Sequence, residues 1–473
     1  MAQARSSAIS TAAAAVRVQV IAPASLGATA VAALRARGID SKLARAEAVS
    51  DDDIVAWALD APPTGARAVE LAAICVRAAA AGRPIVLLVP PARGTGRAIV
   101  ERAAAISYLR AHGAALSHDV DAWLEAVVLL VRFGLPQGPR TAVIAPPGSW
   151  LEAQATSIAV DAESTGARSP LTAPDDPTDV VLYDPELGTP PRSTPGLHIP
   201  IAARGELAAD DEPMLHNARA ALGAVTILGH AAERIRVGLG PAPRAANAEL
   251  SIDGELVERQ LRKLERENIS GNIGDHDTKA LLKAYGVPIT RQAVAQTPSD
   301  AVKKARRAGY PVELKPFGRD LPSEPEGCPV EKNLTSDALV RHAFAQVLIA
   351  AGRSPTENTY VIVRETPPAG RDVAVSFVKL PDLGWTVVLE GAQVAAAPAP
   401  LRLVDAQLLA AHVVASRSGE SDLDRSGLAN VMRRASHLVV DLDAKLAGLE
   451  LPRVVVGGRG ARTLVVDAVA ELL

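Results

Sequence analysis

The chain has 473 residues, a formal net charge of −3, 48% hydrophobic residues and 3% aromatic residues. This length predicts two or three domains, while the low charge and scarce aromatics argue against a nucleic-acid partner. Its two cysteines, Cys75 and Cys328, exclude a disulfide framework or cysteine-based zinc site and fit a reducing cytoplasm. Because no run of about 18 apolar residues occurs, we expect no membrane span.

Strand and helix patterns alternate over residues 14–137, which we assign to a first domain. VRVQVIA (16–22) is typical of a strand, LGATAVAALRARG (26–38) of a helix, and PIVLLVP (84–90) of another strand. Alternation of this kind predicts a parallel sheet with helices on both faces.

The same pattern restarts over residues 138–238, our second predicted domain, with strands in TAVIAPPG (141–148) and DVVLYDPE (179–186). A stretch rich in Pro and Ala follows, without clear periodicity, so we predict a linker over residues 239–272.

The third predicted domain, 273–473, has an α+β pattern. Its clearest helix begins after Thr297, a candidate cap, with Pro298 at the first helical position and Asp300 at capping-box spacing. Gly309 ends that helix before the strand PVELK.

The run LLKAYGVPITRQAVAQTPSDAVKKARRAGYPVELK (281–315) resembles the opening of the ATP-grasp domain in ADP-forming acyl-CoA synthetases (acetate–CoA ligases) and in succinyl-CoA ligase β subunits. The resemblance is centred on residues 278–315, and the two preceding domains look like the family's pair of flavodoxin-like CoA-ligase domains. It implies an α/β chain with two flavodoxin-like parallel-sheet domains followed by an α+β ATP-grasp-like domain. The family's N-terminal Rossmann domain, which holds CoA, has no expected counterpart.

In this family a histidine in an Ala-Ser-His-Thr-Gly run carries a phosphoryl group from an acyl phosphate to ADP. The matching stretch RAAAISYLRA (102–111) places Ser107 and Tyr108 near that position, and tyrosine cannot replace an imidazole of near-neutral pKa. We interpret His112 and His118 as ordinary surface histidines. No catalytic residue is therefore assigned.

The resemblance also implies two glycine-rich phosphate loops. IAPASLGAT (21–29) keeps Ser25 and Gly27, which we take as the remaining phosphate-loop residues. The second loop, IAPPGSW (144–150), has prolines in the glycine positions, and proline has no N–H to donate to a phosphate.

For the nucleotide cleft, Lys315 matches the family lysine that contacts phosphates, Glu365 the hinge-like position and Asp372 an acidic residue of the next strand. The family's mobile phosphate lid is replaced by SEPEGCP (323–329), with Glu324 in place of its lysine.

The family's Mg²⁺ run is replaced by LELPRVVV (449–456), where Glu450 is the one candidate metal ligand left. Asp467 in VVDAVAEL matches a family aspartate at a strand end, which we interpret as structural.

These losses favour a catalytically degenerate acyl-CoA synthetase-like protein, a pseudoenzyme with a binding, regulatory or structural role. The alternative is an active ATP-dependent acyl-CoA ligase completed by a partner subunit. ATP or ADP with Mg²⁺ is the candidate cofactor and CoA a weaker one. We expect a cytoplasmic chain that binds a protein partner or forms a homo-oligomer.

Overall fold

The chain folds into two compact units, Met1–Gly240 and Pro241–Leu473. The computed structural model describes residues 17–46, 52–164, 177–188, 190, 194–202, 214–243, 250–322, 326–354, 359–390, 394–414, 423–458 and 460–473. The predicted boundary between residues 137 and 138 falls inside the first unit. The finer division into three domains stays a prediction.

The first unit begins with a parallel sheet that alternates with helices, as the sequence predicts. Its strands are β1 (Val18–Ile21), β2 (Ser41–Leu43), β3 (Ile54–Ala58), β4 (Val86–Leu88) and β5 (Ala115–Ser117). The helices are α1 (Ala24–Ala36), α2 (Gly65–Ala80), α3 (Gly96–Ala111) and α4 (Val120–Arg132). The strand order β2-β1-β3-β4-β5 is the 2-1-3-4-5 order of doubly wound, flavodoxin-like sheets.

A second parallel sheet follows in the same unit, with its strands adjacent in chain order. It contains β6 (Thr141–Ile144), β7 (Val180–Tyr183), β8 (Leu197–Ala202) and β9 (Leu215–His216), with helices α5 (Trp150–Ser164) and α6 (Ala218–Val237). This sheet has no reversal of strand order among the described residues, so it differs from the first. The reversal is what creates a ligand crevice in doubly wound sheets.

Both sheets of the first unit share one hydrophobic core. The apolar cluster runs from Val18 on β1 through Trp123 on α4 to Val180 on β7 and Leu228 on α6, all fully buried. Since burial of apolar surface is the main force in folding, the shared cluster contributes to holding the two sheets together.

The second unit contains two antiparallel sheets. The smaller has the order β11-β14-β12-β13 and the larger the order β10-β19-β18-β15-β16-β17. Their strands are β10 (Gly271–Asn272), β11 (Gln292–Ala295), β12 (Val312–Pro316), β13 (Glu331–Leu334), β14 (Val361–Glu365), β15 (Gly370–Leu380), β16 (Gly384–Leu389), β17 (Ala395–Pro398), β18 (Leu446–Gly457) and β19 (Leu464–Leu472). The α+β prediction is confirmed.

Among the described residues of this unit, six helices cover these sheets: α7 (Gly254–Arg266), α8 (Gly274–Ala284), α9 (Pro298–Ala308), α10 (Asp337–Ala350), α11 (Leu403–Val414) and α12 (Arg425–Asp441). The start of α9 confirms its predicted cap, because Thr297 Oγ1 accepts the Asp300 N–H at 3.1 Å. The Asp300 carboxylate accepts a hydrogen bond from the N–H of Gln296 (3.3 Å) rather than from the N–H of the cap residue Thr297. A cap of this type contributes about 1 kcal/mol.

The structure differs from the prediction in the segment taken as a linker, 239–272. Helix α7 lies inside it and buries Val257 and Leu264 against the core of the second unit. The segment lacks clear periodicity only up to residue 254. Beyond it, ELVERQLRKLER is an amphipathic helix begun by Asp253, whose carboxylate accepts the Leu256 N–H.

No helix in the described ranges combines the length and the apolar character needed to cross a membrane.

Candidate functional site

A cleft of the second unit lies where strands β12, β14 and β19 meet the first turn of α8 and the loop after β12. The residues that line it are Asn272, Ile273, Gly274, Asp275, His276, Lys315, Pro316, Phe317, Gly318, Arg319, Leu321, Pro322, Cys328, Ile362, Asp467 and Val469. Because both antiparallel sheets contribute strands to the lining, a ligand in the cleft would contact both.

Lys315 is the predicted nucleotide residue that the structure places in this cleft. It lies on β12 and is only 4% exposed. Its Nζ donates to Asp467 Oδ1 at 2.8 Å and lies 3.1 Å from Asp275 Oδ2. The ammonium group is therefore paired with two carboxylates of the same chain.

Lys315 belongs to a larger buried network. Lys279 Nζ, on α8, donates to Asp275 and to the carbonyl of Val466 at 2.6 Å. Arg364 on β14 donates through Nε and Nη2 to Glu313 Oε2, at 2.9 and 2.6 Å. The six members carry three formal positive and three negative charges, so they cancel: Asp275, Lys279, Glu313, Lys315, Arg364 and Asp467.

The network shifts the titration of its members in opposite directions. Burial lowers the pKa of Lys279 to about 8, despite the nearby carboxylate of Asp275. Burial would also lower the pKa of Lys315, but Asp275 and Asp467 outweigh it and hold that pKa above its usual value. For Asp275, burial acts to raise the pKa, yet Lys279 and Lys315 keep it well below the usual range. Lys315 and Asp275 thus stay charged at neutral pH.

A second ionic cluster fixes the rim of the cleft. Asp277, 1% exposed, accepts bonds from Lys263 Nζ (2.6 Å), Gln260 Nε2 (3.0 Å) and Arg319 Nη2 (2.9 Å). Burial acts to raise the pKa of Asp277, but the neighbouring side chains of His276, Lys263 and Arg319 hold it far below its usual value. Because Arg319 lies on the loop after β12, Asp277 ties that loop to α8.

The other two predicted nucleotide residues do not line the described part of the cleft. Glu365, at the end of β14, accepts the Arg291 N–H at 2.8 Å and the Arg291 Nε at 2.7 Å. Asp372 on β15 accepts Arg453 Nε at 3.1 Å, and its side chain is 60% exposed. Arg291, which holds Glu365, immediately precedes β11, and Arg453, which holds Asp372, lies on β18. Nothing in their geometry brings them to Lys315.

Glu450, the predicted metal ligand, is exposed on β18, opposite Ser376 of β15 and Val469 of β19. Mg²⁺ requires several hard oxygen ligands in an octahedron. In the part of the chain that the structure describes, no group of three or more His, Cys, Asp or Glu side chains is positioned to hold a metal ion. The residues around Glu450 therefore do not fit a Mg²⁺ site.

The predicted phosphate-loop residues of the first unit lie inside helix α1 rather than in a loop. The N–H of Gly27 donates to the carbonyl of Pro23 at 2.8 Å, so it is not free to bind a phosphate. Ser25 is exposed, and its carbonyl accepts the hydroxyl of Thr29 at 3.0 Å. The shortened loop reaches only to Pro23, where the helix begins.

Ser107 and Tyr108 lie well inside helix α3, far from its first turn. Burial raises the pKa of the Tyr108 phenol, which makes it a poorer nucleophile. His112 Nδ1 lies 2.7 Å from the carbonyl of Tyr108, and His118 Nδ1 lies 2.7 Å from that of Val89. Burial lowers the pKa of both imidazoles.

Part of the predicted lid replacement, residues 323–325 with Glu324, lies outside the described residues. Cys328, which follows it, lines the cleft and is buried.

The sequence did not reveal four members of the buried network: Asp275, Lys279, Glu313 and Arg364. A signal exists in the strands, because Glu313 and Lys315 alternate with apolar Val312 and Leu314 in VELKP. Arg364 interrupts the apolar run VIVRE in the same way. Charges on the inner face of a short strand indicate a buried ionic layer, but partners so distant in sequence cannot be read from the pattern.

The part of the chain that contains the cleft matches a known domain family. The ATP-grasp domain family model matches residues 265–472. The β subunits of acetate–CoA ligase [ADP-forming] I and II of Pyrococcus furiosus are 27% and 25% identical over 181 and 209 residues, 78% and 89% of their lengths and 35% and 41% of this chain.

The 4-hydroxybutyrate–CoA ligase [ADP-forming] of Nitrosopumilus maritimus is 26% identical over 222 residues, which are 43% of this chain and 31% of that protein. The chain thus spans about a third of that ligase. A solved structure of the dinucleotide forming acetyl-coenzyme A synthetase 1 of Ca. Korarchaeum cryptofilum aligns at 25% identity and a TM-score of 0.41, over 46% of this chain and 100% of that one. Residues 265–472 match the ATP-grasp domain family, and the chain has relatives among the β subunits of ADP-forming acetate–CoA ligases.

Proposed function

We propose that this chain is an acyl-CoA synthetase-like protein with a binding or regulatory role, which does not itself transfer phosphoryl groups. The observation that carries the proposal is the pairing of Lys315 Nζ with Asp467 and Asp275, at 2.8 and 3.1 Å in a buried setting. In a phosphoryl-transfer site, cations neutralise the charge of the phosphates. Here the cation is already neutralised.

The first unit supports the same proposal. Histidine-mediated transfer requires an imidazole at the relay position, and Ser107 and Tyr108 occupy that stretch inside a helix. The prolines after β6 and the helical N–H of Gly27 leave few amides for a phosphate. In the described part of the first unit, the relay position therefore offers no imidazole and the phosphate loops offer few donors. We place such a protein in the cytoplasm, with ATP or ADP and Mg²⁺ as the ligands to be tested.

Isothermal calorimetry with ATP, with and without Mg²⁺, tests the proposal on the full chain. We expect no saturable binding tighter than about 1 mM, which corresponds to about 4 kcal/mol. A mixture of ATP, CoA and a carboxylic acid should yield no acyl-CoA or ADP. Micromolar binding with turnover, lost in Lys315→Met but kept in the matched surface variant Lys303→Met, would overturn it.

The second candidate is an active acyl-CoA ligase completed by a partner subunit. It is favoured by two relatives that are β subunits of ADP-forming ligases and that match this chain over most of their own length. On this reading a partner supplies the relay histidine and the CoA site. A complex isolated from its native source under mild conditions would then form acyl-CoA and ADP and carry an acid-labile phosphohistidine, whereas the chain alone would not.

A further inference from the structure

We propose that helices α9 and α10 form a docking surface for an acidic segment of a partner protein. The surface, which we call the basic face, consists of Lys303, Arg306, Arg307 and Arg341. None of these four residues lines the described part of the cleft. The inference goes beyond the proposed function, because it assigns a binding surface that does not depend on a nucleotide in the cleft.

Helix α9 concentrates positive charge. Its 11 residues include one carboxylate, Asp300, and four cations: Lys303, Lys304, Arg306 and Arg307. The resulting formal charge of +3 is the largest positive charge of any helix that the structure describes, in a chain whose net charge is −3. Lys304 pairs with Asp300 at 2.6 Å within the helix. Three cations are therefore left for contacts outside α9.

Helix α10 lies beside α9 and adds a fourth cation to the basic face. Arg306, near the end of α9, donates through Nε to Asp337 Oδ1 at 3.1 Å, at the start of α10. Arg341 Nη1, one turn further along α10, donates to Ser299 Oγ at 3.0 Å, in the first turn of α9. The two helices are therefore antiparallel, and Arg341 lies on the side of α10 that faces α9.

Lys303 and Arg307 are the cations most available to a partner. Both are exposed, and among the described residues neither forms a hydrogen bond or an ion pair. They are four positions apart and so are neighbours on the outer surface of α9, where like charges at this spacing destabilise a helix. An anion bound between them would relieve that repulsion. Arg306, whose side chain is 68% exposed, keeps further N–H donors for an anion beside Asp337.

The chemistry and the size of the basic face fit a short run of carboxylates. A guanidinium binds a carboxylate through two parallel N–H donors, and Arg306 already holds Asp337 in this way through Nε and Nη2. From Ser299 to Arg307 the face extends about 12 Å along α9, at about 1.5 Å per residue. An extended peptide covers that length with about four residues. A nucleic-acid duplex would carry phosphates well beyond it, against a chain that is otherwise net negative.

Fluorescence anisotropy of a labelled peptide with a run of four glutamates, titrated with the full chain at low salt, is the test. We expect saturable binding that weakens as salt is raised and that is absent for the same peptide with glutamines. Lys303→Glu/Arg307→Glu should weaken binding at least tenfold. The matched control is Lys42→Glu/Lys283→Glu, which makes the same change of charge at exposed positions of β2 and α8. It should bind like the unaltered chain.

Four results would overturn the inference. One is the absence of saturable binding to the glutamate peptide. Another is an equal loss of affinity in the two double variants, which would show that net charge alone is responsible. Tighter binding of a DNA duplex would assign the face to nucleic acid. Self-association of the unaltered chain that Lys303→Glu/Arg307→Glu abolishes, measured by sedimentation, would assign the face to a second copy.

The test keeps its meaning if a variant folds poorly, and it stands apart from the test of the proposed function. Should circular dichroism show that Lys303→Glu/Arg307→Glu loses helix, Lys303→Gln/Arg307→Gln is measured in its place, since glutamine is also a good helix former. Turnover of ATP by the unaltered chain would contradict the proposed function and leave this inference standing.

Discussion

The two units of the chain are built around different kinds of interior. In the first, an apolar cluster is shared by both parallel sheets, and charged pairs such as Arg37–Glu125 join elements around it. In the second, two apolar clusters lie apart, and an ionic network links strands of the two antiparallel sheets through Lys315–Asp467. Apolar contacts tolerate changes of partner, whereas buried charges require specific ones. The free energy of unfolding of the second unit should therefore fall steeply when a single buried charged group is removed.

The largest effect is expected for Arg364→Met in the second unit. Arg364 is fully buried, and its loss leaves the carboxylate of Glu313, 3% exposed, without that cation. Breaking a buried pair from one side costs about 3–5 kcal/mol of unfolding free energy. Urea denaturation of the full chain measures it.

Two further variants show whether that loss comes from the unpaired charge. Arg364→Met/Glu313→Gln should regain much of the stability, because no unpaired charge stays buried. Arg453→Met removes an arginine from a pair in which Asp372 is 60% exposed, and should cost less than about 1 kcal/mol. Equal losses for Arg364→Met and Arg453→Met would show that burial of the charged pair does not set the cost of breaking it.

A smaller but broader effect is expected for Leu228→Ala in the first unit. Leu228 on α6 is fully buried in the cluster shared by both parallel sheets. Such truncations cost about 2–5 kcal/mol, and we expect about 3. If the cluster joins the sheets into one cooperative body, amide hydrogen exchange should speed up in β4 of the first sheet as well as in β7 of the second. Faster exchange confined to β7 would show that the sheets unfold separately.

These contrasts also mark the limit of what the sequence could predict. Continuous apolar runs such as PIVLLVP (84–90) and VVLY (180–183) predict strands because each residue's burial follows from its own neighbours. The strand that carries Lys315 is predicted in the same way, from PVELK. Its partners Asp275 and Asp467 lie 40 and 152 residues away in sequence, so only the folded sheets bring them together. The resemblance to a family therefore identified the lysine but not the state of its charge.

The smallest effect is expected for Gly27→Ala, which asks whether this glycine serves a phosphate loop or a helix. Alanine favours a helix interior over glycine by about 1 kcal/mol, and Gly27 already has its helical hydrogen bond. A Cβ would lie 2.6 Å from Leu43 Cδ2, but the Leu43 side chain is 53% exposed and can turn away. The gain in helix propensity and the cost of moving Leu43 nearly cancel. The free energy of unfolding, measured by thermal denaturation, should therefore change by less than about 1 kcal/mol, and should rise if Leu43 moves freely. A loss above about 2 kcal/mol would mean that Leu43 cannot move and that glycine is required here for close packing of α1 on β2.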